Sequence, residues 1–346
     1  MTDHTSEQPS QQPRWGRRIA VLALAVVVVV AAVIAIAGFT PLLDGDLTSH
    51  ADPAAAHDQA VTLATALTEA DGSDVNPDCR SIVIDSGKKE ARSVVLLHGF
   101  TSCPAQFRSV AKAYAAAGYN VVVPRLPGHG LADRLTTTPT DVTPQDLARA
   151  TDNAINIAAG LGDRITVAGL SAGGALAAWA GAHRNDVAEA DVIAPLMMPK
   201  AIPALAVAPI ARVARYVPDY YLWWDGEQKE KLATPAYAYP RYSLRSLGAF
   251  LALGRDAQID VTRTVPLERL LIVTNANDGA VSNAPIDSYE KAMSSVTTQI
   301  DTYEFPSDLA IKHDLVTVDG ENADHIGEIY ATLGQQLGIP TLTPTR

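Results

Sequence analysis

The pentapeptide Gly169-Leu170-Ser171-Ala172-Gly173 holds the residues best placed to do chemistry. A serine with glycine two places before it and two places after it, between a strand and a helix, is the nucleophile-elbow pattern. Both glycines have a steric task, since a side chain at either position would strike the neighbouring strand or helix in so sharp a turn. The turn lifts the serine oxygen above the sheet, and the positive end of the next helix favours negative charge developing there. Acyl transfer is the chemistry this suits. A serine hydroxyl is a weak nucleophile until a base accepts its proton, and that base needs a third group to orient it.

The elements around the pentapeptide supply the setting. Residues 165–168 are a short apolar run, and 174–183 are rich in Ala and Leu, giving strand, turn and helix. Further strands are predicted at 81–85, 94–97, 119–123, 191–194, 270–274 and 300–305. Helices are predicted at 104–118, with Phe107, Val110, Ala111 and Tyr114 on one face, at 143–161 and at 323–337. Short, near-continuous apolar strands alternating with helices give an α/β fold with a mainly parallel sheet covered on both faces. Sites in such sheets lie beyond the carboxyl ends of the strands. His98, Ser171 and Asp278 each follow a predicted strand, so all three fall on one rim.

With these residues in place, the chain resembles the α/β-hydrolase superfamily, and within it the bacterial carboxylesterases and monoacylglycerol lipases. The resemblance runs over roughly residues 80–340 and rests on His98-Gly99-Phe100, on Pro127-Gly128-His129-Gly130, on the elbow and on two C-terminal loops. It implies the chain order serine, acid, histidine. After Ser171 the histidines are His183, His313 and His325. His183 lies along the elbow helix pointing away from the nucleophile, and His325 falls within the terminal helix. His313, in the loop Lys312-His313-Asp314-Leu315-Val316 between the last strand and that helix, is the expected base. Asp278, in the loop after strand 270–274, is the expected acid, with Asp308 as its rival. Asn275 and Asn277 cannot carry the charge that steadies an imidazolium, and Asp314 shapes the loop beside the base. The resemblance also implies an oxyanion hole at the backbone N–H groups of Phe100 and Ala172, with His98 and His129 bracing their loops.

Between residues 195 and 255 the alternation stops, and the stretch reads as an inserted helical lid. It carries Trp223 and Trp224 among the chain's four Trp, and Tyr216, Tyr220, Tyr221, Tyr237, Tyr239 and Tyr242 among its eleven Tyr. Trp223, Trp224, Tyr220 and Tyr221 are the expected substrate-facing residues, since aromatic surface over a serine suits an acyl chain.

The N-terminus sets the compartment. Residues 1–18 form a polar tail ending in Arg14, Arg17 and Arg18, and 19–39 is a run of 21 residues without a charge. That length spans a bilayer core of about 30 Å. An uncleaved anchor is expected, with a signal peptide cut near Ala35-Ile36-Ala37 as the alternative. Either way the arginines stay in the cytoplasm and the rest is exported. Residues 40–78 read as a connector with a short helical stalk opened by Asp52-Pro53 and showing Val61, Ala64 and Leu67, and 79–346 as the hydrolase domain. Cys79 and Cys103, the two cysteines, would both meet an oxidising compartment and are expected to be joined.

A net charge of −11 opposes nucleic acid as a partner, and two cysteines with eight scattered histidines give no metal spacing. The expected function is therefore a membrane-anchored, extracytoplasmic serine esterase or lipase. It would cleave carboxylic esters of lipid or glycolipid type through an acyl-Ser171 intermediate, without cofactor or metal. An acyltransferase of the cell envelope using the same three residues, or a non-catalytic binding protein on the same fold, are the rival functions. Oligomeric state has no signature in the sequence.

Overall fold

The apolar runs become the strands β1 (Ile82–Ile84), β2 (Glu90–Leu97), β3 (Asn120–Val123), β4 (Gly162–Leu170), β5 (Val187–Ile193), β6 (Tyr221–Trp223), β7 (Arg241–Ser243), β8 (Arg269–Asn275) and β9 (Ile300–Phe305). The helices are α1 (His57–Glu69), α2 (Arg108–Ala116), α3 (Pro144–Leu161), α4 (Ala172–His183), α5 (Leu244–Ile259), α6 (Ile286–Met293) and α7 (Ile326–Gln336). This computed structural model describes residues 47–203, 205, 207, 218–227, 229, 235–297 and 299–345, together with 19, 21, 24, 25 and 28.

Seven strands form one sheet in the order β1-β3-β2-β4-β5-β8-β9. Only β1 runs antiparallel, pairing Ile82 with Val123. Strands β6 and β7 make a separate antiparallel pair. The predicted architecture is thus present, with β2, β4, β5 and β8 longer than their apolar runs. Strand β4 begins at Gly162 and β5 at Val187 because their first turns carry charged residues that sit in ion pairs at the sheet's amino-terminal end, such as Arg164 with Glu268 at 3.0 Å. Helix α3 starts where expected, with Pro144 at its first position and a reciprocal cap between Thr143 and Asp146. The predicted helix 104–118 is divided into a 3₁₀ turn, Pro104–Phe107, and α2. Every residue of α4 is buried. Its Ala and Gly let it lie closely between the sheet and α5, as a helix apolar on all sides requires.

Two expectations about element roles change. The stretch 195–255 ends inside α5, whose residues Leu247, Phe250, Leu251 and Leu253 are buried in the main core. The inserted part therefore closes at Ser243. The connector is no stalk: Leu47, Ala54, Ala60 and Ala64 belong to the same core. Helix α1 is capped by Ala56 rather than opened at Asp52-Pro53, and it buries Ala60 and Ala64 while Val61 is exposed. The reason is a close helix crossing. A Cβ placed on Gly160 of α3 would stand 2.7 Å from the Ala60 Cβ and 2.9 Å from that of Ala54, so only small residues fit there. Ser49 Oγ and the His50 N–H donate to Asp152 at 2.6 and 2.8 Å, and Trp179 Nε1 of α4 donates to Leu47 O at 3.0 Å.

The chain divides into two compact units, Met1–Pro41 and Leu42–Arg346. In the first, Ile19, Val21, Leu24, Ala25 and Val28 are helical and exposed. The rest of the predicted span 19–39 and the tail 1–18 lie outside the described residues. Among the described residues no helix is long and apolar enough to cross a membrane.

Candidate active site

The elbow is held by backbone. Ser171 has φ 58° and ψ −115°, a conformation that a non-glycine residue keeps only when its surroundings impose it. Its N–H donates to Ile193 O at 2.9 Å, and its carbonyl accepts from Ala175 and Leu196 at 2.9 and 2.8 Å. A Cβ on Gly173 would lie 1.8 Å from Leu97 O, and one on Gly169 would lie 2.1 Å from Gly173 O. The steric reading of both glycines is thus visible in the packing.

His313 Nδ1 lies 2.7 Å from Asp278 Oδ2. The other Asp278 oxygen accepts from the N–H groups of Ala280 and Val281, each at 2.8 Å. Burial pushes the Asp278 carboxyl up, but the bond to His313 and those two N–H groups outweigh it and leave its pKa below the usual carboxylate value. Burial pulls the His313 imidazole down, and the hydrogen bond and charge of Asp278 reverse this, raising it above the ordinary histidine value. With a carboxylate on Nδ1, that nitrogen carries the proton and Nε2 is left as the acceptor. The other candidates stand apart from this pair. Asp308 sits exposed on the 3₁₀ turn Ser307–Leu309 and has no bond to His313. His183 is buried between Asp256 and Thr262, each 2.8 Å away. His325 caps α7 from outside rather than lying within the predicted helix.

Residues without a predicted role steady the histidine loop. Asn275, at the end of β8, donates to the carbonyls of Ile311 and Lys312 at 3.0 Å, tying the strand before Asp278 to the loop of His313. Asn322 accepts from the Lys312 N–H at 2.7 Å and donates to Asp314 O at 2.8 Å. Asp314 accepts from the N–H groups of Val316 and Thr317, the loop-shaping part expected of it. Amides carry no catalytic signature in a sequence, so only their place in the fold exposes these roles.

Ser171 and His313 line one cavity of about 590 Å³. No hydrogen bond joins the Ser171 hydroxyl to His313 among the described residues, a looseness common before substrate binds. Phe100 and Ala172 line up with the elbow: Ala172 opens α4, and neither its N–H nor that of Phe100 donates to another group among the described residues. His98 braces the loop as expected, accepting from the Leu126 N–H at 3.1 Å through Nε2 and donating to Gly99 O through Nδ1. Burial, together with nearby His129 and Arg125, holds it well below the ordinary histidine pKa, hence neutral. Burial pulls His129 down to about 4, and its Nδ1 donates to Pro127 O at 2.8 Å.

Cys79 and Cys103 form a disulfide, both residues fully buried. The aromatic residues divide differently from expectation. Trp224 lines the cavity, its indole N–H donating to Thr101 Oγ1 at 2.9 Å and its ring meeting the edge of Phe100. Tyr239 and Tyr242 join it. Tyr220, Tyr221 and Trp223 do not line the cavity. Tyr220 is 67% exposed, Tyr221 lies under the Arg241 guanidinium with its hydroxyl on Thr140, and Trp223 meets Lys229. Tyr221 and Trp223, two residues apart on β6, share a face of the β6–β7 pair that does not line the cavity.

Comparison with known proteins bears on the family and the fold. Residues 94–325 match the model of the alpha/beta hydrolase family. A thermostable monoacylglycerol lipase from Bacillus sp. (strain H-257) is 36% identical over 121 residues, covering 33% of this chain and 43% of that lipase. The chain thus aligns with less than half the length of that curated relative. Among solved structures, one of the metagenome-derived lipolytic enzymes LipS and LipT has a TM-score of 0.59 at 21% identity, covering 76% of this chain and 99% of that one. A soluble variant of monoglyceride lipase from Saccharomyces cerevisiae has a TM-score of 0.56 at 12% identity, covering 75% and 92%. At such identities the likeness speaks for the fold.

Proposed function

The chain belongs to the alpha/beta hydrolase family, and from that premise we propose that it is a serine hydrolase of carboxylic esters with lipid-like acyl groups. The observation that carries this is the His313–Asp278 bond at 2.7 Å, on the wall of the cavity that Ser171 shares. Ser171 Oγ attacks the ester carbonyl while His313 Nε2 takes its proton. The negative oxygen of the tetrahedral intermediate settles on the N–H groups of Phe100 and Ala172. His313 then gives the proton to the leaving alcohol, and the acyl group stays on Ser171. Water, deprotonated by the same imidazole, attacks next and releases the acid. Asp278 keeps the imidazole in the tautomer that both steps need. The aromatic wall of Phe100, Trp224, Tyr239 and Tyr242 suits an acyl chain, and the lipase relative supports the lipid-like class.

In the same reading, the uncharged run 19–39 anchors the protein and the hydrolase unit works outside the cytoplasm. The buried disulfide supports an oxidising compartment.

A fluorophosphonate probe and p-nitrophenyl esters of graded chain length test the chemistry. Wild-type protein should label and turn over, and Ser171→Ala should do neither. A folded wild type that takes no label would end the enzyme reading in favour of a binding protein. For topology, a reporter active only outside the cytoplasm, fused after residue 346, should give signal.

A further inference from the structure

We infer that Gln106 is a positioning residue that ties the Phe100 loop to the His313 loop, so that one buried amide sets both the oxyanion donor and the base. The inference rests on the serine-hydrolase reading above. Gln106 is buried on the 3₁₀ turn Pro104–Phe107, three residues beyond the disulfide-bonded Cys103. Its Oε1 accepts from the Gly99 N–H at 2.7 Å. Its Nε2 donates to Asp314 Oδ2 at 3.0 Å and reaches Thr317 Oγ1 at 3.5 Å.

The partners fix the direction of the amide. Gly99 offers a donor, and the Asp314 carboxylate only accepts, so a flipped amide would oppose donor to donor and acceptor to acceptor. Each end therefore has a definite effect. Gly99 precedes Phe100, and holding the Gly99 N–H on Gln106 leaves the next N–H, that of Phe100, without a partner among the described residues. A Cβ on Gly99 would stand 3.3 Å from Gln106 Oε1 and 3.6 Å from Leu170 O, so the glycine also makes room for this contact. At the other end, Asp314 directly follows His313 and gathers the N–H groups of Val316 and Thr317. Gln106 thus grips the frame that carries the imidazole. Among the described residues no other side chain bonds to both loops. A donor and a base misplaced by even a small distance lose much of their effect in the transition state, while substrate binding through the aromatic wall is untouched.

Two variants test this against simple filling of space. Gln106→Met keeps the length and removes both hydrogen bonds. Gln106→Glu keeps the acceptor for Gly99 and, once ionised, sets a second carboxylate against Asp314. Melting temperature, kcat and KM on p-nitrophenyl butyrate at pH 8 are read for each, with the folded fraction taken from circular dichroism. The Met variant should lose roughly 30- to 100-fold in kcat per folded molecule, and the Glu variant at least about 10-fold, with KM within about 3-fold for both. A space-filling role would lower the melting temperature and leave kcat per folded molecule within about 2-fold, and that result for the Glu variant overturns the inference even if the Met variant does not fold. Wild-type protein without Ser171-dependent turnover would instead remove the hydrolase reading, and this inference with it.

Discussion

Across the cavity, two walls are built on opposite rules. On the elbow side, an added Cβ at Gly173 would meet Leu97 O at 1.8 Å, every residue of α4 is buried, and Ser171 is held at φ 58°. On the side of the insertion between β5 and α5, the lining residue Trp224 is 52% exposed. The first wall is fixed by backbone meeting backbone, the second by a few aromatic side chains and single hydrogen bonds such as Trp224 to Thr101. Reacting groups need fixed distances, whereas an acyl chain needs only apolar surface. Substitutions should therefore divide. Those on the elbow wall act on kcat and on folding, and those on the insertion act on KM.

The sharpest separation comes from the reacting groups. Ser171→Ala, His313→Ala and Asp278→Ala should each lower kcat by on the order of 10⁴-fold, about 5 kcal/mol, with double variants little worse. Steady-state kinetics checks this, and an Asp308→Ala variant that fell as far while Asp278→Ala stayed active would break the assignment of the acid. Gly173→Ala is next. The added carbon meets backbone that cannot move aside, so a loss of at least about 3 kcal/mol is expected, read as a melting temperature lower by roughly 6–12 °C or as failure to fold. A Gly173→Ala variant of unchanged stability would mean that the elbow wall is less fixed than its distances imply.

The disulfide belongs to the elbow side although it lies outside the cavity. Cys79→Ser with Cys103→Ser frees a loop whose ends are 24 residues apart, for a loss of roughly 3 kcal/mol by chain entropy. Because Cys103 leads into the turn that carries Gln106, kcat should fall as well as melting temperature. Equal kcat in the folded double variant would confine the bridge to stability.

The pH profile places the next effect. His313 must be neutral to accept a proton, and Asp278 raises its pKa above the ordinary value, so kcat/KM should fall on acidification with a midpoint above about 6.5. Asp278→Asn should move that midpoint down while lowering the plateau. Stability runs the other way. A raised histidine pKa gives stability present below the unfolded value and lost as pH rises through the folded one. The depressed Asp278 pKa gives stability lost as pH falls through it. The pair is thus most stabilising between the two unfolded values, about 3.9 and 6.5, on the acid side of the active range. The smallest effect is on the insertion. Trp224→Ala should raise KM for long-chain esters by about 5- to 10-fold with kcat little changed, and Tyr220→Ala should change neither. A kcat loss for Trp224→Ala equal to that for Gln106→Met would erase the distinction between the walls.

What the sequence made legible follows the same division. The Gly169 and Gly173 spacing and the strand before it are local patterns with steric causes, and each is where the pattern puts it; Asp278, in the loop after β8, lies within hydrogen-bond reach of His313. Helix α6 buries Ile286, Tyr289 and Met293 on one face, but its eight residues are too few for that period to stand out in the sequence. On α1 Val61 and Leu63 are exposed while Ala60 and Ala64 are buried, because the partner surface is Gly160 and the contact is set by closeness, not by hydrophobicity. The orientation of Trp223 against Trp224 depends on a two-stranded pairing with Tyr242 and Arg241 that no spacing in the sequence announces.

The seating of residues 47–69 bears on where the chain can be cut. The family match begins at residue 94 and the candidate catalytic groups begin at Phe100, which would make a fragment from Cys79 onward look sufficient. Such a fragment would bare the Gly160 face of α3, leave the Trp179 indole without Leu47 O, and leave Arg184 facing an Asp152 carboxylate that no longer has Ser49 and His50 to share. Trp179 and Arg184 lie on and just past the helix that Ser171 opens. A protease trimming the chain from its amino end would therefore leave this packing intact only by cutting before Leu47, and a cut a few turns later would loosen the floor beneath Ser171 without removing Ser171, Asp278 or His313.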